Sequence, residues 1–122
     1  SLPEPDDVVQ RMPDLTQVQL NSNDIKVGFK LYEENCVQCH GAGAVGGGVI
    51  KDLRFSPLLS ASNGWRQIVI EGTLEDKGMI GFGSVLSSED AELIRQYVIG
   101  RNQFLRIFLN KKSNKFKIND IA

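Results

Sequence analysis

The first sustained hydrophobic period begins at Asp24. Ile25, Gly28, Phe29, Tyr32 and Cys36 follow i, i+3, i+4 and i+7 spacing, and this pattern predicts an amphipathic helix over residues 24–37. A second, shorter pattern, Trp65, Ile68 and Val69, predicts a helix over 65–71, although the β-branched run Ile68-Val69-Ile70 also suits a strand. Ser87 and Asp90 occupy the positions of a capping box, with aspartate in place of the usual Glu or Gln. Leu93, Ile94, Tyr97 and Val98 then form the apolar stripe of a third helix, leaving Glu92, Arg95 and Gln96 outside. Gly100 is expected to end that helix, while Phe104, Leu105 and Phe108 would prolong its stripe beyond the interruption at Arg101. Residues 41–48, which hold five glycines, and residues 49–64 and 72–83 read as loops. Residues 1–22, with Pro3, Pro5 and Pro13 and no sustained period, read as an extended arm or linker. The expected organisation is an arm over 1–22, one domain over 23–100 and a basic extension over 101–122.

At 122 residues and 41% hydrophobic content the chain has the size of a single globular domain. Nothing approaches the run of about 18 apolar residues that a membrane span requires. The chain opens on Ser1, which fits a mature exported protein or an excised domain. The net charge of −1 is unevenly placed. Residues 1–100 hold 8 basic and 14 acidic groups, a net −6, and residues 101–122 hold 6 basic and 1 acidic, a net +5. The acidic body gives no support to nucleic-acid binding, and the tail reads as a solvated end or a docking segment.

Chemistry concentrates in five residues. Both cysteines and the one histidine of the chain fall in Cys36-Val37-Gln38-Cys39-His40, a C-x-x-C-H motif of the kind that attaches haem c. Each sulfur can add across a porphyrin vinyl group, and the x-x spacing at a helix end presents both sulfurs to neighbouring vinyls with the histidine beneath the iron. The second ring nitrogen of His40 is expected to donate to a backbone carbonyl that fixes the ring plane. A Cys36–Cys39 disulfide or a thioredoxin-like redox pair leaves the adjacent histidine unexplained. A zinc site lacks a fourth nitrogen or sulfur ligand. Gly41-Ala42-Gly43-Ala44-Val45-Gly46 matches G-x-G-x-x-G, but it follows a helix and has no βαβ context, so the glycines instead suit a chain curling past a porphyrin edge. The lack of a second histidine excludes bis-histidine ligation. The sixth position is left to Met79, Met12, a lysine such as Lys77, or no residue. Met79 is the expected ligand, since it lies in the turn-rich Lys77–Gly83 segment while Met12 sits in the proline-containing arm.

The helix with Gly28 and Tyr32, the Cys36-x-x-Cys39-His40-Gly41 motif, the methionine loop and the final helix with Tyr97 resemble the class I cytochrome c fold over most of 24–100. Tyr32-Glu33-Glu34-Asn35-Cys36, Gly47-Gly48-Val49-Ile50 with Asp52-Leu53-Arg54, Trp65 with Ile68-Val69 and Gly72, Gly78-Met79 with Phe82, and Asp90-Ala91 with Ile94 and Tyr97-Val98 narrow the likeness. They resemble the cytochrome domain of quinohaemoprotein (PQQ-dependent) alcohol dehydrogenases. The resemblance implies an all-α fold of three to five helices around one covalent haem c, with Gly28 and Tyr97 where the first and last helices cross. It implies a periplasmic electron carrier that accepts electrons from a pyrroloquinoline quinone dehydrogenase and passes them to a terminal oxidase or another cytochrome. Alcohol oxidation itself is not expected of this chain. Arg54 and Trp65 become candidates for the haem propionates or pocket wall. Lys51 stands where a proline is expected, so it supplies a carbonyl without that residue's fixed φ. The competing expectation is a haem protein with an open sixth position, acting as a gas sensor or redox enzyme.

Overall fold

The computed structural model describes residues 3–47 and 50–121, with backbone alone over 115–121. Gly48 and Val49, part of the glycine-loop resemblance, lie outside the described residues. All regular structure among the described residues is helical: α1 Pro5–Arg11, α2 Ser22–Asn35, α3 Val37–His40, α4 Ser62–Arg66 and α5 Ser88–Ile121. Short 3₁₀ turns at Ala42–Ala44, Leu53–Phe55, Pro57–Ser60 and Glu75–Lys77 join them.

Helix α2 starts on Asn21, whose side chain accepts from the backbone N–H groups of Asn23 at 2.8 Å and Asp24 at 3.1 Å. Gly28 and Tyr32 of its predicted stripe are buried, whereas Phe29 is 47% exposed. The buried stripe crosses α5 where Gly28 lies against the backbone. A Cβ at position 28 would sit 2.1 Å from the carbonyl oxygen of Leu93 and 3.0 Å from Cβ of Tyr97. The rings of Tyr32 and Tyr97 pack at 5.2 Å, and those of Phe29 and Tyr97 at 5.4 Å.

Helix α5 begins on the expected capping box, in which the Asp90 N–H donates to Ser87 Oγ at 3.0 Å and the Ser87 N–H donates to Asp90 Oδ2 at 2.9 Å. It does not stop at Gly100 but runs 34 residues. A mid-helix glycine costs only about 1 kcal/mol, and tertiary contacts on the far side outweigh it. Those contacts involve the N-terminal stretch. Residues 5–11, expected to be extended, form α1, with Pro5 and two aspartates in its first turn and Arg11 in its last. Met12 and Leu15 are buried behind it. The carbonyls of this stretch are met by α5 side chains. Arg106 donates to Pro13 at 3.2 Å, and Gln103 donates to Leu15 at 2.9 Å and Val18 at 3.1 Å. The arm and the α5 extension therefore order each other, so the helix continues along the stripe that Phe104, Leu105 and Phe108 prolong and does not end at Gly100.

The α4 segment continues without a break into a π-helical turn at Gln67–Glu71, so the β-branched run is helical and not a strand. The Trp65 indole N–H donates to the carbonyl of Ala91 at 2.9 Å, tying α4 to α5. Arg95, held by Glu92 at 2.7 Å, donates to the Leu59 carbonyl at 2.5 Å and ties the 57–60 turn to the same helix.

Gly28→Ala tests the crossing. Alanine is the better helix former by about 1 kcal/mol, yet the close approach should reverse the sign, with a net loss of about 1–3 kcal/mol in thermal or denaturant unfolding of the haem-loaded protein. An unchanged or raised stability would show that the two backbones do not meet there.

Candidate functional site

Beside the α2–α5 crossing lies a cavity of about 530 Å³, within the roughly 300–1,000 Å³ of cofactor sites. Tyr32, Cys36 and His40 come from α2 and the turn that follows it, Leu53, Phe55 and Leu58 from the 3₁₀ turns, and Trp65, Ile68 and Val69 from the α4 segment. Leu74 and Met79 close it from the loop, and Ile94 from α5. Apart from Lys51, Asp52, Ser56 and the motif residues, the lining is apolar or aromatic.

The motif takes its shape from the end of α2. Cys36 caps that helix with its N–H on the Tyr32 carbonyl at 2.7 Å, and the His40 N–H returns to the Cys36 carbonyl at 2.9 Å, making the single turn α3. Gly41 then takes φ +84°, and a Cβ there would lie 2.3 Å from the Val45 carbonyl oxygen, so only glycine allows this exit. The Tyr32 hydroxyl donates to the Gly41 carbonyl at 2.5 Å, pinning the turn back onto α2. Burial raises the pKa of that hydroxyl, which keeps it a donor.

Burial pushes the Cys36 thiol up to about 11, with Cys39 adding to the shift. Both cysteines are free, Cys36 half-buried and Cys39 exposed. A thioredoxin-like pair works through a lowered thiol pKa, and Cys36 has the opposite. Burial also lowers the pKa of His40, which favours the neutral imidazole that a metal ligand must be. Its Nδ1 is buried without a hydrogen-bond partner among the described residues, in contrast to the expected bond to a backbone carbonyl. The chain after the glycine loop folds against Gly46 instead. A Cβ there would lie 2.2 Å from the Ile50 carbonyl oxygen and 2.6 Å from the Lys51 carbonyl carbon, and Lys51 has no ring to fix its φ.

The other sequence candidates divide. Met79 shares the cavity with His40, and its loop is held by the Met79 N–H on Leu74 at 3.2 Å and the Phe82 N–H on Val69 at 2.7 Å. Trp65 forms part of the wall, but its indole N–H is committed to Ala91. Arg54 turns its guanidinium onto Asp52, with contacts of 2.6 and 3.0 Å. Met12 is buried at the end of α1 and does not line the cavity, and Lys77 is exposed. The sequence reading missed Asn102, which is fully buried and donates at 2.8 Å to the carbonyl of Arg54, holding the 53–55 wall. A polar residue on the buried side of an extended helix was its only signal.

An apolar cavity with a neutral histidine and a thioether on its walls and a thiol at its edge fits a haem c held through its vinyl groups. Comparison with known proteins agrees. The family model described as cytochrome c oxidase, cbb3-type, subunit III matches residues 23–98. The chain is 37% identical over 93 residues to quinohemoprotein alcohol dehydrogenase ADH IIB of Pseudomonas putida, covering 76% of this chain and 13% of that protein. It is 39% identical over 93 residues to ADH-IIG of the same organism, covering 73% of this chain and 12% of that protein. Cytochrome c550 of Pseudomonas aeruginosa is 31% identical over 77 residues, covering 61% of this chain and 53% of that protein. The chain thus spans only about an eighth of the length of the dehydrogenases it matches.

Tyr32→Phe removes the hydroxyl tie between α2 and the motif and leaves the part-buried Gly41 carbonyl without that donor. It should lower stability by about 1–3 kcal/mol while keeping the haem attached. Denaturant unfolding of parent and variant checks this, and equal midpoints would show that the hydroxyl does not hold the turn.

Proposed function

The chain belongs to the c-type cytochrome family, whose members hold haem c covalently and transfer electrons, and from that premise we propose that it is a carrier with one haem ligated by His40 and Met79. The observation that carries the reading is the placement of Cys36, His40 and Met79 on the walls of one cavity. Haem c bound there supplies an iron that gains or loses one electron. Cys36 and Cys39 anchor it through two thioethers, and His40 offers a ring nitrogen that burial keeps unprotonated. Met79 offers a thioether sulfur from the opposite loop. With His40 and Met79 both committed to the iron, oxygen and other small molecules would find no open site, and a methionine ligand would raise the potential. The apolar walls exclude water, so little reorganises when the charge changes. Trp65 serves as wall, and Arg54 supports it through Asp52.

The donor is a PQQ-dependent dehydrogenase, and the acceptor a terminal oxidase or another cytochrome, in the periplasm after export. The relatives that bear quinohaemoprotein names support this donor. The −6 charge of residues 1–100 biases encounter toward a positively charged partner face.

Met79→Ala should lower the midpoint potential and let the reduced protein bind carbon monoxide, which the parent should not. If that variant keeps the parent potential while Met12→Ala loses it, the ligand assignment is wrong. Stopped-flow reduction of the oxidised protein by substrate-loaded quinoprotein dehydrogenases tests the donor. Rapid reduction that slows as ionic strength rises is expected. Slow reduction by each such enzyme, alongside fast reduction by an unrelated donor, would reject the partner.

A further inference from the structure

The two sides of the α5 extension differ in kind. Asn102, Gln103, Arg106 and Ser113 face the N-terminal stretch and are hydrogen-bonded to it. On the outer edge, Phe104, Ile107 and Phe108 are 61%, 57% and 48% exposed. Their i, i+3, i+4 spacing places them side by side. The Arg101 guanidinium lies 5.5 Å from the Phe104 ring centre and the Lys112 ammonium 5.3 Å from that of Phe108. Lys111 follows one turn after Ile107. Residues 101–119 contain six basic groups and no acidic one.

From this we propose that the outer edge of α5 docks on an anionic lipid surface, with the two phenylalanines and Ile107 in the headgroup–acyl boundary and the cations at the phosphates. Three features favour lipid over an acidic protein. The apolar side chains form a ridge on the outside of a helix, a shape that enters a soft planar interface and leaves a protein partner needing a matching groove. The cations of the outer edge include lysines, which protein interfaces lack relative to the rest of the surface and which interfacial helices use, because their stems run along apolar surface while the ammonium reaches water. The charge is of one sign from Arg101 to Asn119, with Asp120 the one acid of the extension, a pattern that anionic headgroups read at roughly fivefold in affinity per cation. No helix among the described residues is long and apolar enough to cross a membrane, so α5 lies in the interface plane. The N-terminal stretch locks the opposite side of the helix and presents the ridge outward without an ordering cost at the moment of docking. The net −6 of residues 1–100 keeps the remainder of the molecule off the same surface.

Vesicle flotation with the haem-loaded full chain tests this, using phosphatidylcholine vesicles with and without about a third phosphatidylglycerol. The protein should float with the anionic vesicles at low salt, remain in solution with phosphatidylcholine alone, and be released by high salt. Phe104→Ser with Phe108→Ser should weaken binding at least tenfold, as should Lys111→Glu with Lys112→Glu, while the helical circular dichroism and haem absorption stay as in the parent. Failure to float with anionic vesicles at low salt would overturn the proposal. So would flotation that the phenylalanine pair does not affect, or stronger retention on immobilised polyglutamate than on the vesicles, which would point to an acidic protein. None of these outcomes depends on the haem ligand or on the dehydrogenase donor.

Discussion

At Gly28 the backbones of α2 and α5 approach within a distance that excludes any Cβ, and the positions of the site residues follow from that contact. One turn further along α2, Tyr32 meets Tyr97 and reaches the Gly41 carbonyl with its hydroxyl. The turn carrying Cys36 and His40 is thereby fixed against the crossing and not left at the frayed end of a helix. Helix α5 in turn holds α4 through Trp65 and the 57–60 turn through Arg95. The α2, α4 and 53–60 walls of the cavity are tied to the same helix, and the Met79 loop is held in turn by Val69 of the π-helical turn.

The same helix carries a second, independent set of contacts. Past Gly100 it leaves the cavity and binds the N-terminal stretch through polar side chains that donate to backbone carbonyls. Asn102 links the two regions, since one amide donates both to Pro13 and to Arg54 at the cavity wall. The acidic body and the basic α5 extension then offer surfaces of opposite character, which separates the proposed redox encounter from the proposed lipid contact.

Much of this was legible in the sequence wherever the cause is local. The Ser87–Asp90 capping box and the Gly28–Tyr97 crossing depend on nearby spacing or on one residue lacking a side chain, and they stand as read; the haem c that the five-residue motif announces is the cofactor of the family the chain matches. Helix α1 was not legible, because it is ordered against α5 across some ninety residues of chain, while the second half of α5 was signalled only by Phe104, Leu105 and Phe108 continuing the stripe past Arg101 and Gly100. Phe29 fits the periodic face yet is half exposed, since the crossing buries only the Gly28–Tyr32 edge. His40 Nδ1 was expected to find a carbonyl and has no partner among the described residues. Arg54, a candidate for the haem propionates or pocket wall, makes guanidinium contacts with Asp52 two residues away.

The central claim is that His40 and Met79 face each other across one haem. Proton NMR of the reduced, methyl-labelled protein examines it most directly, because a methionine methyl over a porphyrin face is shifted far upfield by the ring current. The account predicts one such resonance, absent from Met79→Ala and retained in Met12→Ala. A reduced spectrum in which neither methionine methyl is displaced would contradict it.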